Sequence, residues 1–106
     1  MKANEFVKKF GIPLAEMIIN ESPSWAKSYF LGIEQYEGSD FSQSYEDCIS
    51  IADLKRLVES HELVEKVGGL SIAKDFYENF ECVHVGLDLV SCRSLGKAIL
   101  DVESCK

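Results

Sequence analysis

Residues Ser50–Gly69 read SIADLKRLVESHELVEKVGG, and the fold is decided by how this stretch is read. Ile51, Leu54, Leu57, Val58, Val64 and Val67 recur at helical spacing and fall largely on one side of a helix. Ser50 can accept a hydrogen bond from the first free amides, and Asp53 stands where a capping-box acid would. Gly68 and Gly69 close the element, because glycine adopts the left-handed conformation that ends a helix at little cost. Glu59, Glu62, Glu65 and Lys66 are spaced along the same helix. Such a row is the signature of a solvated face and could extend a binding surface.

Towards the C-terminus, Ile72, Ala73, Phe76 and Phe80 predict a further helix around Ser71 to Phe80. The short link between the two helices predicts an αα-hairpin. In ECVHVGLDLVSC, residues 81–92, Val83, Val85, Leu87 and Leu89 alternate with Cys82, His84, Gly86 and Asp88, which predicts a strand. Leu95, Ala98, Ile99 and Val102 then return to helical spacing over Ser94 to Ser104, with Gly96 as a weak point.

Towards the N-terminus, Phe6, Val7 and Phe10 form the apolar side of a short helix that Asn4 can cap and Gly11 ends. Pro13 suits the first turn of a second helix carrying Leu14, Met17 and Ile18, which stops at Pro23 and its neighbouring serines. Tyr29, Leu31 and Ile33 alternate with Phe30, Gly32 and Glu34, as in a strand. Together these elements predict a single α+β domain over 1–106, dominated by helices. Its minor β-sheet or hairpin is expected from the Tyr29 and Val83 regions, and its centre from the αα-hairpin.

A chain of this length buries roughly two-thirds of its unfolded surface and needs no staple to hold a core. It carries a formal net charge of −7. That charge disfavours direct nucleic-acid binding, which needs a basic footprint, and docking on an anionic membrane. It favours a protein partner with a basic surface. No apolar run is long enough for a signal-peptide core or a membrane span, so the expected location is cytoplasmic. Cys48, Cys82, Cys92 and Cys105 are accordingly expected as reduced thiols, Cys82 and Cys92 semi-buried and Cys105 at a mobile end.

Motifs that would carry chemistry are incomplete. FVKKFGIPLAEMIIN has the outline of a helix-turn-helix, which keeps a small transcriptional regulator as the alternative function. Its second helix, however, offers mainly Glu16, Asn20 and Glu21 to a duplex, and Lys8 and Lys9 alone make no footprint. Cys82 and His84 share a strand face and could join Cys92 and Cys105 around zinc, but the closely spaced ligand pairs of structural zinc sites are missing. His61-Glu62 lacks the second histidine of a zinc-protease helix, since residue 65 is Glu65. No phosphate loop, nucleophile elbow or paired-acid motif appears, so neither an enzyme nor a cofactor is expected.

The remaining candidate is EQYEGSDFSQSYED, residues 34–47. No basic side chain occurs from Ser28 to Leu54, while acids accumulate. Glu34, Glu37, Asp40, Glu46 and Asp47 produce a local negative potential, and Tyr36 and Tyr45 offer the rigid contact area that interfaces favour. Phe41 and Tyr45 could instead anchor an ordinary polar loop to the body. Both readings stand at this point.

Three further stretches carry a resemblance: ANEFVKKFGIPLAEMI followed by ESPSWA, then ISIADLKRLVESHELVEKVGGLSIAK, and the closing KAILDVESC. They resemble short accessory, early-region proteins of lambdoid phages and enteric prophages over most of the chain, least well from Tyr29 to Cys48. The resemblance implies a protein acting inside an infected bacterium by stoichiometric binding. Its target would be a host complex, such as a CRISPR or restriction defence system. It carries over no catalytic residue.

Overall fold

The computed structural model describes residues 1–78 and 89–106. Within them lie five helices and a three-stranded antiparallel sheet, an α+β fold dominated by helix. By contacts the chain divides into two units, Met1–Val58 with Cys105, and Glu59–Ser104 with Lys106.

In the first unit, α1 (Ala3–Phe10) buries Ala3, Phe6 and Val7, and α2 (Ile12–Glu21) buries Ala15 and Ile18. The helix begins ahead of the expected Asn4 cap, at Lys2, and no side chain caps it. Burying Ala3 requires the first turn to start there, and this leaves Asn4 inside the turn, where it cannot serve as N-cap. Gly11 ends α1 as its sequence indicates, at φ 89° with its N–H donating to Val7 O. Pro13 opens α2. One glycine at positive φ therefore redirects the chain between two helices.

The strand at Tyr29 is shorter than its alternation implies. β1 (Ser28–Phe30) gives way at Leu31 to a turn in which Glu34 takes φ 50°. The chain returns as β2 (Gln35–Glu37), and after a loop β3 (Cys48–Ser50) pairs with the other edge of β1, giving the order β2-β1-β3. Tyr29 stands opposite Tyr36 on one side and Ile49 on the other. Both edges of β1 are thus occupied, and the Tyr29 region lies at the centre of the described sheet. Residues 79–88 lie outside the described residues, and with them most of the expected Val83 strand. Its last residues, Leu89 to Cys92, belong instead to a helix.

That helix is α5 (Leu89–Ser104), which starts well ahead of the expected Ser94. α3 (Ile51–Val67) has the ends its sequence dictates. Ser50 Oγ accepts from Asp53 N at 3.3 Å. At the other end Gly69 N donates to Val64 O and Gly68 N to Glu65 O, both glycines at positive φ, the double closure of a Schellman motif. The first turns of α3 place Ile51, Leu54, Leu57 and Val58 in a core with Phe6, Val7, Ala15, Ile18 and Ile49. Cys105 belongs to this core as well, buried rather than at a mobile end.

The second unit is built on α4 (Leu70–Glu78) packed against α5, with Val64, Ala73, Leu95, Ala98, Ile99 and Val102 at its centre. The αα-hairpin at Gly68-Gly69 therefore closes on a third helix. Of the residues expected to be buried in α4, Ala73 is buried and Ile72 is exposed. The side chain of Phe76, and Phe80 altogether, lie outside the described residues. Ser60, buried on α3, donates to Asp101 Oδ2 of α5 at 2.7 Å, and Lys74 of α4 pairs with Glu103 of α5.

Gly96 has a tertiary reason. A Cβ there would lie 2.8 Å from Cε2 and Cζ of the Tyr77 ring. Alanine in a helix gains about 1 kcal/mol over glycine, but overpacking costs about 1–3 kcal/mol. Gly96→Ala is therefore expected to lower stability by about 1 kcal/mol, measured by urea unfolding. In a Tyr77→Ala background the same change should raise stability by about 1 kcal/mol. The same effect in both backgrounds would mean that the ring does not set the approach of the two helices.

Candidate functional site

The acidic stretch begins at the β1–β2 turn, supplies β2, and ends where β3 starts. Because β2 and β3 flank opposite edges of β1, residues 38–47 must cross β1 to join them. Successive side chains on a strand point to opposite faces, so Tyr29, Tyr36 and Ile49 share one face and Ser28, Phe30 and Cys48 the other. The first set packs into the core. The loop covers the second set.

Its fastenings are visible along its length. Buried Ser28 donates its hydroxyl to Ser39 O at 2.6 Å. The Phe30 ring meets Phe41 at 6.1 Å and Tyr45 at 5.5 Å, centroid to centroid, and Phe41 and Tyr45 meet edge to face at 6.1 Å. Tyr45 N and Ser44 N both donate to Phe41 O, forming a single helical turn. The Met1 ammonium donates to Tyr45 O at 3.2 Å and Cys48 O at 3.0 Å. Under this cover Cys48 is fully buried and carries a free thiol.

The polar residues of the stretch face outward. Glu34, Asp40, Glu46 and Asp47 are exposed and Glu37 is half-buried. Among the described residues none of these five carboxylates forms an ion pair. Asp40 accepts from the Ser42 hydroxyl at 2.5 Å and the Ser42 amide at 2.9 Å. Those two donors, the hydroxyl first, hold its carboxyl below the usual carboxylate range. Asp40 thus stays ionised to lower pH than a free aspartate. Glu34, in the β1–β2 turn, reaches Tyr29 electrostatically. Asp47 Oδ2 would lie 3.0 Å from a Cβ at Gly32 in the same turn, so glycine makes room for that carboxylate.

The two tyrosines diverge. Tyr45 remains 54% exposed on the loop. Tyr36 is half-buried on the opposite face, its ring 4.8 Å from Tyr29 and its hydroxyl donating to Ile18 O at 2.5 Å. The structure thus brings Asp40, Tyr45, Glu46 and Asp47 onto one loop, places Glu34 and Glu37 at its borders, and commits Tyr36 to holding β2 on α2. Trp25, to which no role falls from the sequence pattern, joins this surface. It is 58% exposed, and its Cε3 would lie 3.7 Å from a Cβ at Gly38. Its one sequence signal is a large aromatic in a Ser-Pro connector, where no periodicity demands burial.

An open cleft of about 560 Å³ adjoins the loop, lined by the start of α1, Ser42–Glu46, and Asp53 and Arg56 of α3. It mixes Lys2 and Arg56 with Glu5, Glu46 and Asp53, so it lacks the single sign of the loop surface. Other candidates give less. α2 presents Met17, Asn20 and Glu21 to solvent and carries no cation. Lys8 and Lys9 are exposed at the end of α1. His61 is half-buried on α3. Glu59, Glu62, Glu65 and Lys66 are exposed, as a solvated helix face should be. Cys82 and His84 lie outside the described residues, as does the side chain of Cys92. Among the described residues no three histidine, cysteine or acidic side chains could hold a metal ion, and no helix is long and apolar enough to cross a membrane.

No protein-family model matches this chain, and neither the curated proteins nor the solved structures yield a match.

Proposed function

We propose that this protein works without catalysis, by docking the acidic–aromatic surface of residues 34–47 on a basic surface of another protein. The observation that carries the reading is the loop over the outer sheet face. It displays carboxylates that form no ion pair among the described residues together with a half-exposed Tyr45, while the Ser28–Ser39 hydrogen bond and the Phe30, Phe41 and Tyr45 rings hold it in place. A surface already ordered in this way loses little entropy on binding, and unpaired like charges steer an oppositely charged partner. Glu34, Glu37, Asp40, Glu46 and Asp47 supply the attraction, Tyr45 supplies contact area, and Tyr36 positions the strand. Together with the resemblance to phage accessory proteins, this favours a host partner of the nucleic-acid-handling defence type, whose basic groove offers the complementary charge.

The test is capture of a partner from bacterial lysate, followed by affinity measurement with the purified pair. The triple reversal Glu34→Lys, Glu46→Lys and Asp47→Lys removes no ion pair among the described residues and should leave the fold intact. It is expected to weaken binding at least about tenfold at moderate salt and to flatten the salt dependence. A reversed variant that holds the partner as tightly as the parent would mean that the interface lies elsewhere.

A further inference from the structure

We propose that Trp25 anchors this surface and that the group it receives is an arginine side chain of the partner, an inference that rests on the reading of the acidic face above. Trp25 is the one tryptophan of the chain, and it sits on the connector between α2 and β1 with 58% of its surface open. Burial of an indole is among the larger apolar gains available to a small fold, so leaving it outside forgoes stability. The ring lies beside Gly38, where a Cβ would meet indole Cε3 at 3.7 Å, an ordinary contact, so the indole edge rests on the chain between Glu37 and Asp40. Lys27 N donates to Glu37 O at 2.8 Å and fixes the connector against β2 at the same point.

The charges on the segments beside the connector decide the guest. Lys27 and Lys55 line an open hollow of about 420 Å³ with Asp40, so the field of Asp40 is partly offset by them. Glu37 forms no ion pair among the described residues and remains for an incoming cation. An exposed indole is the best aromatic platform for a cation. A guanidinium is planar, stacks on the ring and can present paired N–H donors to a carboxylate at the same time. A lysine ammonium is more strongly hydrated and cannot stack. An open tryptophan on a surface of net negative charge therefore favours arginine over lysine.

The experiment uses the intact protein and two fluorescein-labelled peptides of equal length and charge, one carrying arginines and the other lysines at the same positions, with an acidic peptide as control. Anisotropy at low salt should show the arginine peptide binding about three- to fivefold tighter than the lysine peptide. Trp25 emission should change on titration with the unlabelled arginine peptide. Trp25→Phe, at an exposed position, should leave the circular dichroism unchanged, weaken binding of the arginine peptide and so abolish most of the arginine preference. Equal binding of both basic peptides, or a preference unchanged in Trp25→Phe, overturns the assignment to Trp25 and leaves the acidic surface standing. Binding of neither basic peptide overturns both.

Discussion

Leu54→Ala is expected to lower the unfolding free energy by about 2–5 kcal/mol, the range for a buried leucine whose site cannot fully collapse. Leu54 is fully buried in the first half of α3. Its cluster joins that helix to Phe6 of α1, Ala15 and Ile18 of α2, and Ile49 of β3. Four elements therefore share the void that the truncation opens, and none can close it without losing contacts of its own. In a chain of this size the loss should lower Tm by roughly 10–20 °C. Leu100→Ala is the matched control, since Leu100 is 67% exposed on α5 and its truncation should cost no more than about 0.5 kcal/mol. Urea and thermal unfolding followed by circular dichroism measure both. If Leu54→Ala melts with the parent, the start of α3 does not form the centre of this core.

Tyr36→Phe is expected to cost about 1–2 kcal/mol at neutral pH and to reduce the loss of stability in alkali. The hydroxyl of Tyr36 donates to Ile18 O, a carbonyl in the last turn of α2. Phenylalanine keeps the ring contact with Tyr29 and removes that bond alone. Burial, then Tyr29, then Glu21 raise the pKa of Tyr36 above the ordinary phenol value of about 10. Tyr29 is raised as well, by burial first, then by Glu34 and Glu21. A raised folded pKa means that the native state favours the neutral phenol. Its contribution is complete below pH ~10 and is lost as pH climbs through the folded pKa. The parent should therefore lose stability above pH ~10 more steeply than Tyr36→Phe. Urea midpoints across the alkaline range and tyrosinate absorbance measure the two effects. Ordinary titration of Tyr29 and Tyr36 would contradict the assignment.

Where local chemistry is strong, the sequence is enough. Ser50, the apolar side from Ile51 to Val64 and the Gly68-Gly69 stop define α3 without reference to the rest of the chain. Gly11 followed by Pro13 defines the corner between α1 and α2. Leu95, Ala98, Ile99 and Val102 are all buried on α5, as their spacing requires. The beginning of α5 was not legible, because Val83, Val85, Leu87 and Leu89 fit a period of two while a helix already runs from Leu89.

The candidate site divides in the same way. The accumulation of acids from Glu34 to Asp47 is plain in the sequence, and the structure leaves most of them facing water. That the stretch supplies one strand and leads into another was hidden, because Gln35–Glu37 and Cys48–Ser50 are each three residues long and poor in β-forming character outside Tyr36 and Ile49. Strands so short exist only through pairing with β1, a non-local event that leaves no local pattern. Tyr36 and Tyr45 look alike in the sequence, yet sheet register turns one onto Ile18 and the loop crossing leaves the other in solvent. The sequence by itself determined where the helices lie, the ends of α3, the corner between α1 and α2 and the sign of the surface, since these follow from side-chain period, capping chemistry and charge. The tertiary structure alone decided which acids and aromatics share a face, because strand order sends residues 38–47 across β1 and brings Trp25 against Gly38.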